Sequence, residues 1–415
     1  MLSVSSLLQA WNDLTPRALL LLAGVLRVGL VLVSVLQDYF AEVAYTDVDY
    51  QVFTEAAENV VLGQSPFAPR TALLAADETR YRYTPLLAYV LVPNVLVHAC
   101  WGKLLFSAVD IEAARVLQSW LEGQRGVDKS TVRWGLVLWL FNPFTFTIST
   151  RGNGECIVVL LLYRMLKAVF LDNRPALAAG LYGVAVHWRV YPVVYALPLA
   201  LALAAPGGRR PLRAVAFLAQ AAGTCLALGV AFAWLYGRAF LDAAYLYHVG
   251  RLDTRHNFSA YFYPNFLHAE SPASFPNLAR FALVPQALAC LVLGARSGEA
   301  PAVAMLLQTL AFVATNKVIT AQYFAWWLAL LPPALPWLDW RRASLWTALL
   351  RWAAAEVHWL LWAYLLEFRG WEVRPMVWMA SLVFLGANLA LLAELLKRHT
   401  AAIKGDTADG SRKSR

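Results

Sequence analysis

Long apolar segments recur along almost the whole of this 415-residue chain, and they constrain its fold more than any other feature. A helix needs about 20 apolar residues to cross a bilayer. Segments of roughly that length lie at about 18–36, 102–121, 132–148, 154–171, 213–236, 280–295, 301–317, 322–340, 343–366 and 375–396. Charged residues make up only 15% of the chain, against about 25% in soluble domains. The sequence therefore predicts an all-α polytopic membrane protein with about ten full spans.

A further apolar segment, residues 176–205, is interrupted by the polar sequence His187-Trp188-Arg189-Val190-Tyr191-Pro192. Irregular backbone at membrane depth is tolerated only where protein or a water-filled cavity satisfies its hydrogen bonds. We interpret the segment as two half-length helices that form a re-entrant pair and meet at this polar break.

The basic loops indicate how the chain is oriented, because Lys and Arg concentrate on the cytoplasmic side of membrane spans. Such residues gather in the loops 122–133 and 207–213 and in the tail 397–415. The net charge of +9 therefore reflects orientation, and nucleic-acid binding is not indicated. We predict one multi-spanning catalytic domain, residues 1–396, followed by a disordered basic tail on the cytoplasmic side.

The opposite, non-cytoplasmic face would hold two large loops, residues 37–101 and 237–279. The clusters of unusual polar residues all fall on that face: Asp47 with Asp49, Arg80–Thr84, Arg151–Asn153, His187 with Arg189, Arg255–Asn257, and Asn316 with Lys317. Polar groups that converge on one face imply one cavity. The sequence therefore predicts one polar site at this membrane surface.

Two carboxylates, Asp47 and Asp49, follow the first span closely. Charges are costly in hydrocarbon, so an acid pair at the membrane surface indicates function. Glycosyl transfer needs a carboxylate base to take a proton from the acceptor hydroxyl, and a second carboxylate could position the acceptor or a divalent cation. No other cofactor is predicted. In the structural alternative, Thr46 and Asp49 form a helix capping box, which leaves Asp47 without a role.

Cationic side chains on the same face are candidates for binding the donor phosphate and the substrates through charge-assisted hydrogen bonds. The candidates are Arg82, Arg151, His187, Arg189, Arg255, His256 and Lys317. Each has a structural alternative: local ion pairing, a side chain that snorkels to the membrane surface, or an interfacial anchor. Arg27, in the middle of the first span, requires a buried polar partner that the sequence does not identify.

Local patterns in the two large loops also predict structure. An apolar stripe at helical spacing over residues 52–61, with Gly63 at its end, predicts an amphipathic interfacial helix. Residues 84–97 are apolar but broken by prolines, which indicates a surface segment. Asn257-Phe258-Ser259 matches a glycosylation acceptor pattern, although its Arg and His neighbours favour a structural or binding role.

Eight motifs together resemble one family, the catalytic subunit of GPI mannosyltransferase I (PIG-M type), in the right order from about residue 40 to 330. They are Tyr45–Phe53 (YTDVDYQVF), Arg80–Leu87 (RYRYTPLL), Gly102–Phe106 (GKLLF), Phe141–Pro143, Arg151–Asn153, the AVHWRVYP sequence ending at Pro192, Arg255–Tyr263 (RHNFSAYFY) and Asn316–Phe324 (NKVITAQYF). One departure is Arg189, where the family pattern predicts Lys; the charge is kept but the donor geometry changes.

The resemblance implies a glycosyltransferase-C fold in the endoplasmic reticulum membrane, with a lumenal active site. It implies dolichyl-phosphate mannose as the donor and a glucosaminyl-(acyl)phosphatidylinositol as the acceptor of the first α-1,4-linked mannose. It also implies a small single-pass accessory subunit as partner. The acid pair of the family carries over onto Asp47 and Asp49, and direct displacement predicts inversion at the sugar.

Two other functions compete with this interpretation. Broken helices also mark the binding sites of secondary transporters, but here the polar groups gather at one face and no two-fold repeat is visible. A lipid-linked mannosyltransferase with another acceptor is the second alternative. The combination of the DVDY and HNFS motifs argues against it.

Overall fold

A computed structural model describes residues 14–68, 81–204, 211–251, 253–296 and 300–413. Arg80, Arg209 and Arg210, which entered the sequence predictions, lie outside these ranges. Throughout the described ranges the regular structure is helical. The chain divides into two compact units, the first comprising Met1–Pro192 and Phe217–Val249 and the second Val193–Ala216 and Gly250–Arg415.

Twenty α-helices follow one another along the described part of the chain. They are α1 (Pro16–Phe40), α2 (Val48–Val61), α3 (Pro85–Val90), α4 (Val92–Leu96), α5 (Trp101–Glu122), α6 (Lys129–Leu140), α7 (Pro143–Thr150), α8 (Glu155–Phe170), α9 (Pro175–Trp188), α10 (Ala196–Ala204), α11 (Pro211–Tyr236), α12 (Arg238–Leu241), α13 (Tyr247–Gly250), α14 (Phe262–Glu270), α15 (Leu283–Arg296), α16 (Pro301–Ala314), α17 (Ala321–Leu328), α18 (Leu331–Ala334), α19 (Ala343–Glu367) and α20 (Arg374–Lys413). Within the first unit α5 packs against α1, α6 and α8, and within the second α20 packs against α16 and α19.

Within the described ranges, four stretches of helix are long and apolar enough to cross a membrane: α1, α11, Leu278–Arg296, and the part of α20 from Arg374 to Thr400. Each coincides with a span predicted from the sequence, so the membrane character of the chain and its all-helical class are confirmed. The count of ten spans stays a prediction. The last helix continues to Lys413 and so includes most of the tail for which the sequence predicts disorder.

Two of the predicted spans are divided rather than continuous. In 132–148, α6 ends at Leu140, and Asn142 starts a new helix by accepting a hydrogen bond from the Phe144 N–H at 3.0 Å. In 322–340, prolines interrupt the helix, because a proline ring clashes with the preceding turn and lacks an N–H donor. The result is α17, α18 and a 3₁₀ turn over Leu335–Trp337.

The predicted break inside 176–205 is confirmed. The helix α9 ends at Trp188, and the backbone of Arg189 is extended (φ −140°, ψ 124°). A 3₁₀ turn over Tyr191–Tyr195 then leads into α10. Two half-length helices therefore flank a short irregular stretch, as the polar interruption indicates.

The amphipathic helix predicted in the first large loop is α2. Its stripe of Phe53, Ala56 and Ala57 is buried, and Gly63 follows its end with a φ of +69°. The apolar residues after it form two short helices, α3 and α4, where the sequence predicts a broken surface segment. Periodicity and proline placement were sufficient for both predictions.

A buried ion pair joins α1 to α5 and supplies the partner that Arg27 requires. The Arg27 Nε lies 2.9 Å from Asp110 Oδ2, and both side chains are almost completely buried. Arg27 Nη1 also donates to the backbone oxygen of Leu140 at 3.0 Å, and Ser149 Oγ donates to Asp110 at 2.6 Å. A buried charge is tolerated only when it is paired and hydrogen-bonded, so this network fixes how the two helices pack.

Candidate active site

Asp47 caps the helix that begins with the acidic segment. Its Oδ1 accepts the backbone N–H of Asp49 at 3.1 Å, and its own N–H donates to the backbone oxygen of Arg151 at 3.0 Å. A helix cap is therefore present, as in the structural alternative, but the capping residue is Asp47 and not Thr46. A carboxylate at this position also interacts favourably with the helix dipole.

Thr46 is instead held by the ends of α1 and α5. Its N–H donates to Asp38 Oδ1 at 2.9 Å, and the ammonium group of Lys103 donates to its hydroxyl at 2.5 Å. Lys103 is buried and also donates to Ser34 Oγ at 2.9 Å. These contacts tie the residue before Asp47 to two long helices.

Tyr50 fixes the first turn of α2 by lying between two glycines. A Cβ added at Gly152 would fall 2.3 Å from Cδ2 of the Tyr50 ring, and one at Gly102 would fall 2.8 Å from its Cε2. The Tyr50 hydroxyl donates to the backbone oxygen of Ala99 at 2.6 Å. Gly152 thus allows the backbone to approach this ring closely.

Asp49 belongs to a group of four side chains that we call the acid–arginine cluster: Asp49, Tyr83, Arg189 and Glu155. The Tyr83 hydroxyl donates to Asp49 Oδ2 at 2.9 Å. The Arg189 guanidinium lies 4.5 Å from the centre of the Tyr83 ring, and its Nη2 lies 2.7 Å from Glu155 Oε1. Burial and the Asp49 carboxylate raise the pKa of Tyr83 well above its ordinary value, so the phenol stays protonated and donates.

Tyr83 and Glu155 were not among the residues predicted for the site. The available signals were modest: Glu155 is an acid that opens an apolar helix, and Tyr83 stands inside the RYRYTPLL motif. Arg189 was predicted to bind phosphate, but the structure pairs it with a carboxylate, as in the local-pairing alternative. In the described part of the chain, no three His, Cys, Asp or Glu side chains group closely enough to hold a metal ion.

His187 lies in aromatic surroundings within the first unit. It is fully buried, its Nδ1 is 3.0 Å from the Tyr245 hydroxyl, and its ring stacks on Phe232 with 5.6 Å between centroids. Phe240 packs against the same group. These neighbours suit a neutral imidazole that packs in an aromatic group, and the phosphate-binding role of His187 stays a prediction.

The other two predicted cations of the first unit, Arg82 and Arg151, each have defined contacts. The Arg82 guanidinium lies 3.9 Å above the ring of Tyr247, and its backbone oxygen is 3.1 Å from His248 Nε2. The side chain of Arg151 is exposed, while its backbone oxygen accepts the Asp47 N–H. The structure thus brings the backbone of the Arg151 turn onto the acidic segment.

The remaining predicted cations belong to the second unit. Burial and the nearby Arg251 charge lower the pKa of Lys317. Arg251 pairs with Asp253 at 2.9 Å, and Asp253 also accepts the Arg255 N–H at 3.1 Å. His256 Nε2 lies 3.3 Å from an oxygen of Glu367.

The Asn257-Phe258-Ser259 sequence is structural, as its neighbours indicated. Asn257 is buried; its Oδ1 accepts the Ser259 N–H at 2.9 Å and its Nδ2 donates to the backbone of Arg255 at 3.2 Å. Phe258 N donates to the backbone oxygen of Ile319 at 3.1 Å. The RHNFSAYFY and NKVITAQYF motifs therefore fold against each other inside the second unit.

Similarity to known proteins is consistent with these motifs. The family model described as "Mannosyltransferase (PIG-M)" matches residues 148–396. The chain is 41% identical over 385 residues to the GPI alpha-1,4-mannosyltransferase I catalytic subunit of Danio rerio, covering 91% of this chain and 95% of that one. It is 38% identical over 391 residues to GPI mannosyltransferase 1 of Eremothecium gossypii, covering 91% and 94%. The corresponding protein of Saccharomyces cerevisiae is 37% identical over 361 residues, covering 82% and 85%.

A helical membrane protein with a fixed acidic segment, similar to these enzymes along most of its length, is a glycosyltransferase. The chain belongs to the PIG-M mannosyltransferase family. The resemblance indicated by its sequence motifs is confirmed, and the mannosyltransferase interpretation is favoured over a transporter.

Proposed function

We propose that this protein transfers the first mannose, in α-1,4 linkage, from dolichyl-phosphate mannose to glucosaminyl-(acyl)phosphatidylinositol during GPI-anchor synthesis. The observation that carries the proposal is the fixed Asp47–Asp49 segment, in a chain 41% identical to a GPI alpha-1,4-mannosyltransferase catalytic subunit. Lys103, Tyr50 and the Arg151 backbone all hold that segment. Such preorganisation suits a catalytic carboxylate, because misplacement by about 1 Å costs roughly 100-fold in rate.

In the proposed reaction a carboxylate of the acidic segment takes the proton from the acceptor hydroxyl as its oxygen attacks the sugar carbon. The bond between that carbon and the phosphate oxygen breaks, and dolichyl phosphate leaves with the electron pair. Attack opposite to the leaving group inverts the anomeric configuration. Asp47 is our candidate for the base, and Asp49 for positioning the acceptor or a divalent cation.

The leaving phosphate needs positive charge, because its negative charge grows as the sugar–oxygen bond breaks. We assign this role to Arg82, Arg151, Arg255, His256 and Lys317, the cations that the sequence predicts on the same face as the acidic segment. Arg189 we assign to the acid–arginine cluster, because it already pairs with Glu155 at 2.7 Å.

The cellular setting is part of the same proposal. We place the enzyme in the endoplasmic reticulum membrane with a glycosyltransferase-C fold, about ten spans, a lumenal acidic segment, a cytoplasmic tail and a small single-pass partner subunit. A glycosylation acceptor engineered into residues 64–79 should then be modified in sealed microsomes. An unmodified acceptor that added protease can reach from outside would refute this orientation.

The test of the catalytic role compares two aspartates that both cap helices. Asp128 caps α6 by accepting the Thr131 N–H at 2.9 Å, so Asp128→Asn is a matched control for Asp47→Asn. Asn is as good a cap as Asp, so both variants should fold. Asp47→Asn should lose about 100- to 10,000-fold in mannose transfer, the usual contribution of a general base.

The assay uses membranes that lack their own enzyme, labelled dolichyl-phosphate mannose and the glucosaminyl lipid, with rates expressed per folded protein. Asp128→Asn should keep the parental rate, and Asp49→Asn should also be severely impaired. If Asp47→Asn keeps most of the activity, Asp47 is not the base. If the parental protein makes no mannosylated lipid from these substrates, the proposed function is wrong.

A further inference from the structure

The acid–arginine cluster brings together four segments that are distant in sequence. Asp49 lies in the first turn of α2, Tyr83 precedes α3, Glu155 opens α8, and Arg189 follows α9. A hydrogen bond of 2.9 Å joins Asp49 to Tyr83, a cation–ring contact of 4.5 Å joins Tyr83 to Arg189, and an ion pair of 2.7 Å joins Arg189 to Glu155. The series ends on one of the two carboxylates of the acidic segment.

The charges of the cluster do not cancel. Asp49 and Glu155 carry two negative charges, and Arg189 carries one positive charge. Glu155 has 5% of its side chain exposed and Arg189 13%, so their ion pair is largely shielded from water. A buried carboxylate is stable only when it is paired, and Glu155 therefore holds Arg189 in place.

Tyr83 connects this ion pair to Asp49. Its ring is fixed on one side by the Arg189 guanidinium, and on another by an edge contact to Phe53 at 4.7 Å between centroids. A ring held in this way can point its hydroxyl in few directions, and the hydroxyl donates to Asp49 Oδ2. The Asp49 carboxylate thus receives a directed hydrogen bond from a neutral donor, and the Arg189 guanidinium, which pairs with Glu155, interacts electrostatically with Asp49 as well.

We infer that Tyr83 and Glu155 are positioning residues of the mannosyl transfer: Tyr83 orients the Asp49 carboxylate, and Glu155 fixes the Arg189 guanidinium against the Tyr83 ring. This inference rests on the proposed function. It adds two residues to that function and replaces phosphate binding by a positioning role for Arg189. It also explains why an acid opens the apolar helix α8, where charge is otherwise costly.

The first test is Tyr83→Phe, which keeps the ring and removes only the hydroxyl. Its contacts with Arg189 and Phe53 should remain, and loss of the hydrogen bond to Asp49 should lower stability by about 1–3 kcal/mol. We expect kcat to fall roughly 10- to 100-fold, in the range that small displacements of catalytic groups produce, with KM for dolichyl-phosphate mannose within about twofold of the parental value.

Tyr81→Phe is the matched control, because Tyr81 is buried in the same segment and donates to the backbone of Thr84 at 2.6 Å. Loss of that hydrogen bond should lower stability by about 1–3 kcal/mol and leave kcat per folded enzyme unchanged. Equal kcat for Tyr83→Phe and the parental enzyme would overturn the role of Tyr83.

The second test separates folding from positioning at the ion pair. Glu155→Gln leaves a buried cation without its carboxylate, so the abundance of folded protein should fall sharply. Glu155→Gln combined with Arg189→Gln removes both charges and should restore abundance. We expect kcat of this double variant to stay at least 10-fold below the parental value, whereas a purely structural pair would allow full recovery.

The parental enzyme is measured in the same reactions, so that failure of the proposed function can be distinguished from failure of the positioning roles. No mannosylated lipid from the parental enzyme would refute the proposed function. Normal transfer by the parental enzyme, matched by Tyr83→Phe and by the double variant, would overturn only the positioning roles of Tyr83 and Glu155.

Discussion

Replacing Gly152 by Ala is the most direct test of how the acidic segment is held. Gly152 has a φ of +96°, and a Cβ there would lie 2.3 Å from Cδ2 and 2.4 Å from Cγ of the Tyr50 ring. The ring has little freedom to move away. Its hydroxyl is tied to the backbone oxygen of Ala99, and the backbone of Gly102 lies close to the same edge of the ring.

The size of the effect follows from two separate costs. A left-handed backbone costs an L-residue about 1–2 kcal/mol. Forcing extra atoms into a packed site costs about 1–3 kcal/mol more. Gly152→Ala should therefore destabilise the protein by about 2–5 kcal/mol, a large part of the 5–15 kcal/mol typical of folded proteins.

Gly63→Ala provides a matched control for the first cost alone. Gly63 has a φ of +69° and no atom within 4 Å of the added Cβ. It should lose about 1–2 kcal/mol, all of it from the backbone. Because Gly63 contacts no part of the acidic segment, its mannosyl transfer per folded enzyme should equal that of the parental protein.

The assay measures thermal and denaturant unfolding of both detergent-purified variants, with transfer activity per folded enzyme. Gly152→Ala should be the less stable of the two by about 1–3 kcal/mol and should lose activity, because a displaced Tyr50 moves the start of α2. Equal stability and equal activity of the two variants would refute the argument that the Tyr50 ring sets the position of Asp47.

Three further predictions concern other parts of the chain. Arg27→Met and Asp110→Leu should each destabilise the protein by about 3–5 kcal/mol in thermal unfolding, whereas the double variant should recover most of the loss; additive losses would contradict the ion pair. Lys103→Met should lower kcat for mannosyl transfer while Lys103→Arg retains part of it, because the Thr46 contact needs a donor; equal rates would exclude the tether. Asn257→Gln should leave the electrophoretic mobility unchanged and reduce stability by about 1–3 kcal/mol, and a mobility shift would show that Asn257 carries a glycan.

Local pattern was sufficient for the elements that depend on local forces. The half-length helices around Arg189, the helix over residues 52–61 and the proline-broken segment after Thr84 all follow from periodicity, glycine and proline. The same rules overestimated continuity in 132–148 and 322–340. The hydropathy of both segments is uninterrupted. In the first, the Asn142 side chain accepts a backbone hydrogen bond and starts a new helix. In the second, the prolines lack the N–H that a continuous helix needs.

Long-range partners could not be predicted in this way. The partner of Arg27 stands 83 residues further on, and nothing near Arg27 points to Asp110. In the sequence, Glu155 looks like an ordinary acid in the first turn of a helix. Its partner becomes visible only in the structure, where the break after α9 places Arg189 beside it. The catalytic roles of Asp47 and Asp49 stay predictions, and whether Thr46 or Asp47 caps the helix depended on a one-residue shift in where α2 begins.

The division of the chain into interleaved units has a consequence for biogenesis. Residues Val193–Ala216 belong to the second unit but are synthesised before Phe217–Val249, which complete the first. The Tyr245 that hydrogen-bonds to His187 emerges 58 residues after it. The ribosome must therefore synthesise part of the second unit before the first unit can finish folding. The interior around His187 stays incompletely packed during membrane insertion. An early pause in translation between these segments would expose that aromatic interior to chaperones and quality-control proteases.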